Sequence, residues 1–266
     1  MHHIHVGHRS VFYREQGEGP PVVLLHGFLC DSRAWEPQLR DLSDRYEVVA
    51  WDAAGAGASD DPLETFTITD WAEDLARLLD ALTLEEAHIV GLSWGGLVAQ
   101  AFVGRYPSRV RSLVLSDTYA GWKGSLPADA VEKRLARCLA ESELAPAELV
   151  ERWVPMEFFT EDVSDEVTST MADIVSGFHP LGFRLMARSL AENDTMSLLS
   201  TIRVPTLLLW GESDQRSPLE VAERFRDAIP DAELAVIPAA GHVSNMEQPD
   251  LFTSHVRRFL WSSLSA

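Results

Sequence analysis

The chain has 266 residues, room for one large domain or two small ones, and its 46% hydrophobic and 24% charged residues exclude a collagen, a coiled coil and a disordered chain. Its 22 Lys and Arg against 41 Asp and Glu leave a formal charge of −19, which argues against nucleic acid or an anionic membrane surface as partner, because basic side chains hold both. The N-terminus lacks the cationic start and apolar run of a signal peptide, and no stretch reaches the ~18 apolar residues of a membrane span. A cytoplasmic location is expected, and Cys30 and Cys138, in a strand-end loop and a helix, are expected to stay reduced.

In chain order, His2, His3, His5 and His8 come first. His3 and His5 alternate with Ile4 and Val6 as on a half-exposed strand, so they read as solvated side chains and no metal is expected. Residues 11–15, the turn 17–20 and residues 21–25 read as strand, turn, strand, an antiparallel hairpin at one sheet edge. Helix 32–42, strand 47–51, helix 69–82, strand 87–90, helix 94–106 and strand 110–115 follow, then strands 206–210 and 233–237 with helices 218–228 and 249–262. The alternation indicates a mainly parallel sheet covered on both faces. Residues 119–201 break it: helical patterns at 128–140, 146–153, 165–176 and 180–191 with no strand read as a helical insertion, and the acidic run 161–166 as an exposed turn and helix start.

Gly91-Leu92-Ser93-Trp94-Gly95 lies between a strand and a helix, the context of a G-x-S-x-G nucleophile elbow, whose sharp turn lifts the serine hydroxyl above the sheet. The loop after strand 22–25, His26-Gly27-Phe28, can aim a backbone N–H at that elbow. The N–H groups of Phe28 and Trp94 are the expected oxyanion hole. His26 reads as a support of this loop. Asp214 follows strand 206–210 and His242 follows strand 233–237, so Ser93, Asp214 and His242 stand in the order nucleophile, acid, base at strand ends. Asp117, after strand 110–115, is the alternative acid.

These residues resemble the α/β-hydrolase family over almost the whole chain. Residues 49–59 match its D-x-x-G-x-G-x-S segment but lack the arginine often found after the aspartate. The resemblance implies an eight-stranded, mostly parallel sheet with a helical cap between strands six and seven: a core of 1–118 and 202–266 and a cap of 119–201. It implies a serine hydrolase acting on a small-molecule carboxylic ester or lactone through an acyl-enzyme, without cofactor, as a monomer or homodimer. Serine at the elbow argues against the dehalogenases and epoxide hydrolases of the family, which carry Asp there. The stretches around His179 and His242 are similar to enol-lactonases and esterases. Carbon–carbon bond hydrolases often have Trp after the catalytic histidine, where this chain has Val243. Ser93-Trp94 is similar to proline iminopeptidases, whose caps hold an amine with acids; Glu141, Glu143, Glu148 and Glu151 are the acids available here. A non-turnover receptor on the same fold is the reading from another class. The expected pocket draws on insertion residues Trp122, Trp153, Phe158 and Phe178, with Met156, Phe159, Phe183 and Met186 as neighbours in the cap. Arg184, one turn from Arg188, is the expected partner of a substrate carboxylate.

Overall fold

Strands that are apolar at consecutive positions need cover on both faces, and in the computed structural model they have it: every residue of β5 (Ala87–Leu92) and β7 (Thr206–Gly211) is buried. The structure describes residues 2–7, 9–154, 158–160 and 163–263. With β1 (His2–Val6), β2 (Arg9–Gln16), β3 (Pro21–Leu25), β4 (Glu47–Trp51), β6 (Val110–Ser116) and β8 (Glu233–Ile237), they form an eight-stranded sheet ordered β1-β2-β4-β3-β5-β6-β7-β8. β1–β2 and β2–β4 pair antiparallel, and every later pair is parallel.

The hairpin at the edge is β1–β2, not the expected one across 17–20, because β4 lies between β2 and β3. Gly17 and Gly19, at φ +85° and +128°, press on the carbonyls of Ser43, Tyr46 and Arg45, where a Cβ would come within 2.3–2.5 Å. The glycines therefore carry the chain past the start of β4 instead of closing a tight turn. His2, His3 and His5 are exposed on β1, and His8 lies outside the described residues. Among the described residues no three His, Cys, Asp or Glu side chains are grouped as a metal site, no helix is long and apolar enough to cross a membrane, and Cys30 and Cys138 are buried free thiols.

The sheet is flanked by α1 (Glu36–Leu42), α2 (Ile68–Ala81) and α3 (Trp94–Arg105), and at its far end by α10 (Leu219–Ala228), α11 (Ser244–Glu247) and α12 (Pro249–Ser263). A 3-10 turn over Ser32–Trp35, capped by the Asp31 side chain, replaces the first turn of the helix expected at 32–42. Between β6 and β7 the described residues form only helices: α4 (Gly121–Ser125), α5 (Ala128–Glu141), α6 (Pro146–Trp153), α7 (Asp165–Ser176), α8 (Pro180–Glu192) and α9 (Met196–Leu199). Glu161, Asp162 and Met156 lie outside the described residues.

α8 ties this insertion to the sheet. Its Gly182 packs on Gly55 so closely that a Cβ would lie 1.9 Å from the Gly55 carbonyl. Ser189 Oγ accepts the Trp94 indole N–H at 2.9 Å, and His179 bonds Asp61 at 2.6 Å and the Gly57 carbonyl at 3.1 Å. Gly182→Ala is therefore expected to lower unfolding free energy by roughly 1–3 kcal/mol, the cost of overpacking. Gly177→Ala, whose new methyl meets nothing nearer than 3.6 Å, is expected to cost less; urea titration of both variants checks the contrast.

Candidate active site

β5 runs straight into α3, and Ser93 makes the turn alone at φ +52°, ψ −115°. Such a conformation costs a non-glycine residue about 1–3 kcal/mol and persists only where its surroundings enforce it. Here the Ser93 N–H donates to the Ser116 carbonyl at 2.8 Å, and both flanking glycines are required. A Cβ on Gly91 would sit 2.6 Å from the Gly95 carbonyl, and one on Gly95 2.3 Å from that of Leu25. The Trp94 side chain is wholly buried, edge-to-face on Trp71 at 5.0 Å. Its backbone N–H opens α3, where no residue of the helix lies four positions back to accept it.

Two further strand ends bring Asp214 and His242 to the elbow. Asp214 Oδ1 accepts the N–H groups of Arg216 (2.8 Å) and Ser217 (3.0 Å), which fixes the carboxylate within its own loop. Its Oδ2 faces His242 Nδ1 at 2.8 Å, and His242 Nε2 faces Ser93 Oγ at 2.8 Å. A carboxylate accepts, so Nδ1 carries the hydrogen and the Nε2 lone pair is left for the serine hydroxyl; the partners assign this tautomer. Each of the three residues is 5% exposed. The His242 N–H donates to the Phe158 carbonyl at 3.1 Å, a tie to the helical insertion.

Asp117, the alternative acid, does not reach His242. Its Oδ1 accepts the Gly211 N–H at 2.7 Å, and its Oδ2 accepts the hydroxyls of Ser116 (2.9 Å) and Ser244 (2.5 Å), so it joins the ends of β6 and β7 to the turn after His242. Burial, and then the charge of Asp214, push its carboxyl well above the usual range. His26 is fully buried with Nδ1 on the Gly27 carbonyl (2.8 Å) and Nε2 accepting the Ala53 N–H (3.0 Å). Burial lowers its pKa and keeps it neutral, and it links the loop after β3 to the loop after β4. Asp52 completes that link by accepting the N–H groups of Ser32 (2.7 Å) and Ala58 (2.8 Å). The 49–59 segment thus supports the loop that carries Phe28.

A narrow cavity lies at Ser93, walled among others by Phe28, Tyr119, Trp122, Phe158, Arg216 and His242. Of the expected pocket residues, Trp122 and Phe158 line it. Trp153 stands behind Phe28, with ring centroids 5.5 Å apart, and donates its indole N–H to Glu141 at 2.8 Å. Phe178 borders a neighbouring cavity, which shares Cys30 with the first. Arg184 is not brought to the serine: it turns outward to Glu64 (3.2 Å) and Glu143 (3.5 Å), and Arg188 also faces Glu64. The cap acids are elsewhere too, Glu141 buried against Arg137 and Trp153 and the other three exposed. Tyr119 and Arg216 were not among the expected pocket residues. Arg216, two positions after Asp214, shares its loop, and that proximity was the available signal.

The sequence pattern of the alpha/beta hydrolase fold family matches residues 20–179 and 184–249. The chain belongs to the α/β-hydrolase family and is a hydrolase. It is 30% identical over 243 residues to 3-oxoadipate enol-lactonase 1 of Acinetobacter baylyi, covering 88% of this chain and 85% of that one. Among solved structures it is similar to a thermophilic esterase from Thermogutta terrifontis (32% identity, TM-score 0.89, 96% and 94% of the two chains). It is similar also to the enol-lactonase from Burkholderia xenovorans LB400 (26% identity, TM-score 0.89, 97% and 99%).

Two variants separate the carboxyls. Asp214→Asn is expected to lower kcat by orders of magnitude, about 10⁴ in the best-studied triad, and Asp117→Asn by far less. Asp117 also has a pH signature. An acid whose folded pKa lies above its unfolded value takes up a proton on folding, so its contribution is fully present at acid pH and declines as pH rises toward the folded pKa. Urea unfolding from about pH 5 upward should show Asp117→Asn losing stability less steeply than the unaltered protein.

Proposed function

We propose that the protein is a serine hydrolase that cleaves a small carboxylic ester or lactone through an ester on Ser93. The unbroken chain from Ser93 Oγ through His242 to Asp214, two contacts of 2.8 Å at the floor of a largely apolar cavity, carries this reading. A serine hydroxyl is a weak nucleophile until a base takes its proton. His242 Nε2 accepts that proton as Oγ bonds to the carbonyl carbon, and Asp214 steadies the resulting imidazolium through the Nδ1 hydrogen bond. In this reading the N–H groups of Phe28 and Trp94 meet the charge that develops on the carbonyl oxygen. His242 then gives the proton to the leaving oxygen. From a lactone that alcohol stays tethered to the acyl group. Water, deprotonated by the same Nε2, attacks the acyl carbon, and the acid leaves as Ser93 recovers its proton.

Residues 119–201 act in this reading as a cap over the 1–118 and 202–266 core. Rings of Phe28, Phe158 and Trp153 screen the reacting atoms from bulk water, which strengthens the electrostatic interactions among them. The acyl transfer uses side chains and backbone of this chain alone, and the largely apolar walls of the cavity suit the carbon body of an ester or lactone.

A fluorophosphonate probe should label Ser93, located by peptide mass spectrometry. Ser93→Ala should lose the label and turnover of short p-nitrophenyl esters and small lactones together. Labelling at another residue, or full activity in Ser93→Ala, contradicts the assignment. Cleavage of a vinylogous diketone alone would make the reaction carbon–carbon bond hydrolysis, and cleavage of a prolyl anilide alone would make it peptidolysis.

A further inference from the structure

The direction of the His242 ring follows from its backbone, and a short piece of the insertion helps to hold that backbone. Residues 158–160 lie directly on the turn that carries the histidine: a Cβ on Gly241 would stand 3.2 Å from the Phe158 carbonyl oxygen and 3.4 Å from the Phe159 carbonyl carbon. The Phe158 carbonyl accepts the His242 N–H at 3.1 Å, and Phe158 also walls the Ser93 cavity. One piece of chain thus touches the base and the cavity together.

A carbonyl steadies its partner only if the segment that bears it is itself held. Glu247, the last residue of α11, provides that hold. Its side chain reaches back to the turn, where Oε1 accepts the Gly241 N–H at 2.7 Å and Oε2 accepts both the N–H and the hydroxyl of Thr160 at 2.8 Å. One carboxylate therefore joins the residue before His242 to the residue two after Phe158. Hydrogen bonds to a carboxylate are roughly twice as strong as those between neutral groups, and Glu247 is partly buried, where they are less screened. Glu247 stands outside the chain from Ser93 through His242 to Asp214, and both of its oxygens are turned to the two segments that it joins.

We propose that Glu247 is a positioning residue for the base: it clamps residues 158–160 of the insertion onto the turn before α11, so that His242 is aligned on Ser93 only while that segment is seated. The inference rests on the hydrolase reading for the reaction and adds to it a dependence of the base on the insertion. Reacting groups tolerate little displacement, since a misplacement of about 1 Å caused by a change away from the chemistry costs about 10²-fold.

The test compares full-length Glu247→Ala and Glu247→Gln with the unaltered protein at a temperature at which urea unfolding shows all of them folded, so that lost stability does not enter the rates. Two quantities are read: kcat for p-nitrophenyl acetate, and the second-order rate of Ser93 labelling by a fluorophosphonate. Glu247→Ala should lower both by roughly ten- to a hundredfold. Glu247→Gln, whose single carbonyl oxygen can serve Gly241 or Thr160 but not both, should lie between. Thr160→Ala should slow the unaltered protein severalfold and the Glu247→Ala protein not at all, because both changes open one clamp. Rates in Glu247→Ala within about twofold of the unaltered protein, a Glu247→Gln protein no faster than Glu247→Ala, or additive effects of Thr160→Ala overturn the proposal. Labelling of Ser93 in the unaltered protein reads the nucleophile independently, so unmoved rates with Ser93 still labelled sink this inference alone.

Discussion

The backbone of Ser93 is the constraint on which the rest of the site depends. A residue at φ +52° between a parallel strand and a helix can be held only if both neighbours approach other backbone closely, and Gly91 and Gly95 allow that approach. The turn fixes three things together. It raises Oγ above the C-terminal edge of the sheet, puts the Trp94 N–H at the open start of α3, and brings α3 against the end of β3, from which the Phe28 loop departs. The parallel order β4-β3-β5-β6-β7-β8 then delivers Asp214 and His242 to that same edge, since each follows a strand running in the same direction.

Behind the serine, histidine and aspartate lies a polar support that does not touch the serine. Asp117 bonds the ends of β6 and β7 and the turn after His242, and His26 and Asp52 bond the loops after β3 and β4 to one another and to the segment before α1. Buried polar groups are expensive unless each finds a partner, and here nearly every donor and acceptor is spent on positioning a loop. Burial favours the uncharged form of Asp117 and of His26.

Much of this was legible in the sequence, because the informative signals were local. The buried strands β5 and β7 are continuous apolar runs followed by the elbow and the aspartate loop, and the histidine loop follows the edge strand β8, of which only Ile237 is buried. The hairpin expected at 17–20 does not form because glycines between two apolar runs look alike whether the chain reverses or crosses. What intervenes in space is β4, which follows β3 in the chain yet pairs with both β2 and β3. Short helices such as α4 and α11 carry too few residues to show a period. Arg184 and Arg188 do share one side of α8, as their spacing required. Phe183, Met186, Ala187 and Leu190 fill the buried side of that helix and leave the arginines on its outer flank. Arg216 was hidden differently, in a loop whose direction periodicity does not predict.

The proposed ester on Ser93 is tested most directly by partitioning. Acetate esters of three phenols with different leaving abilities are hydrolysed in water containing methanol, and the ratio of methyl acetate to acetic acid is measured for each. If every ester passes through the same acetyl group on Ser93, the ratio is the same for all three. Ratios that change with the phenol would mean that water and methanol attack the ester itself, and would contradict the account.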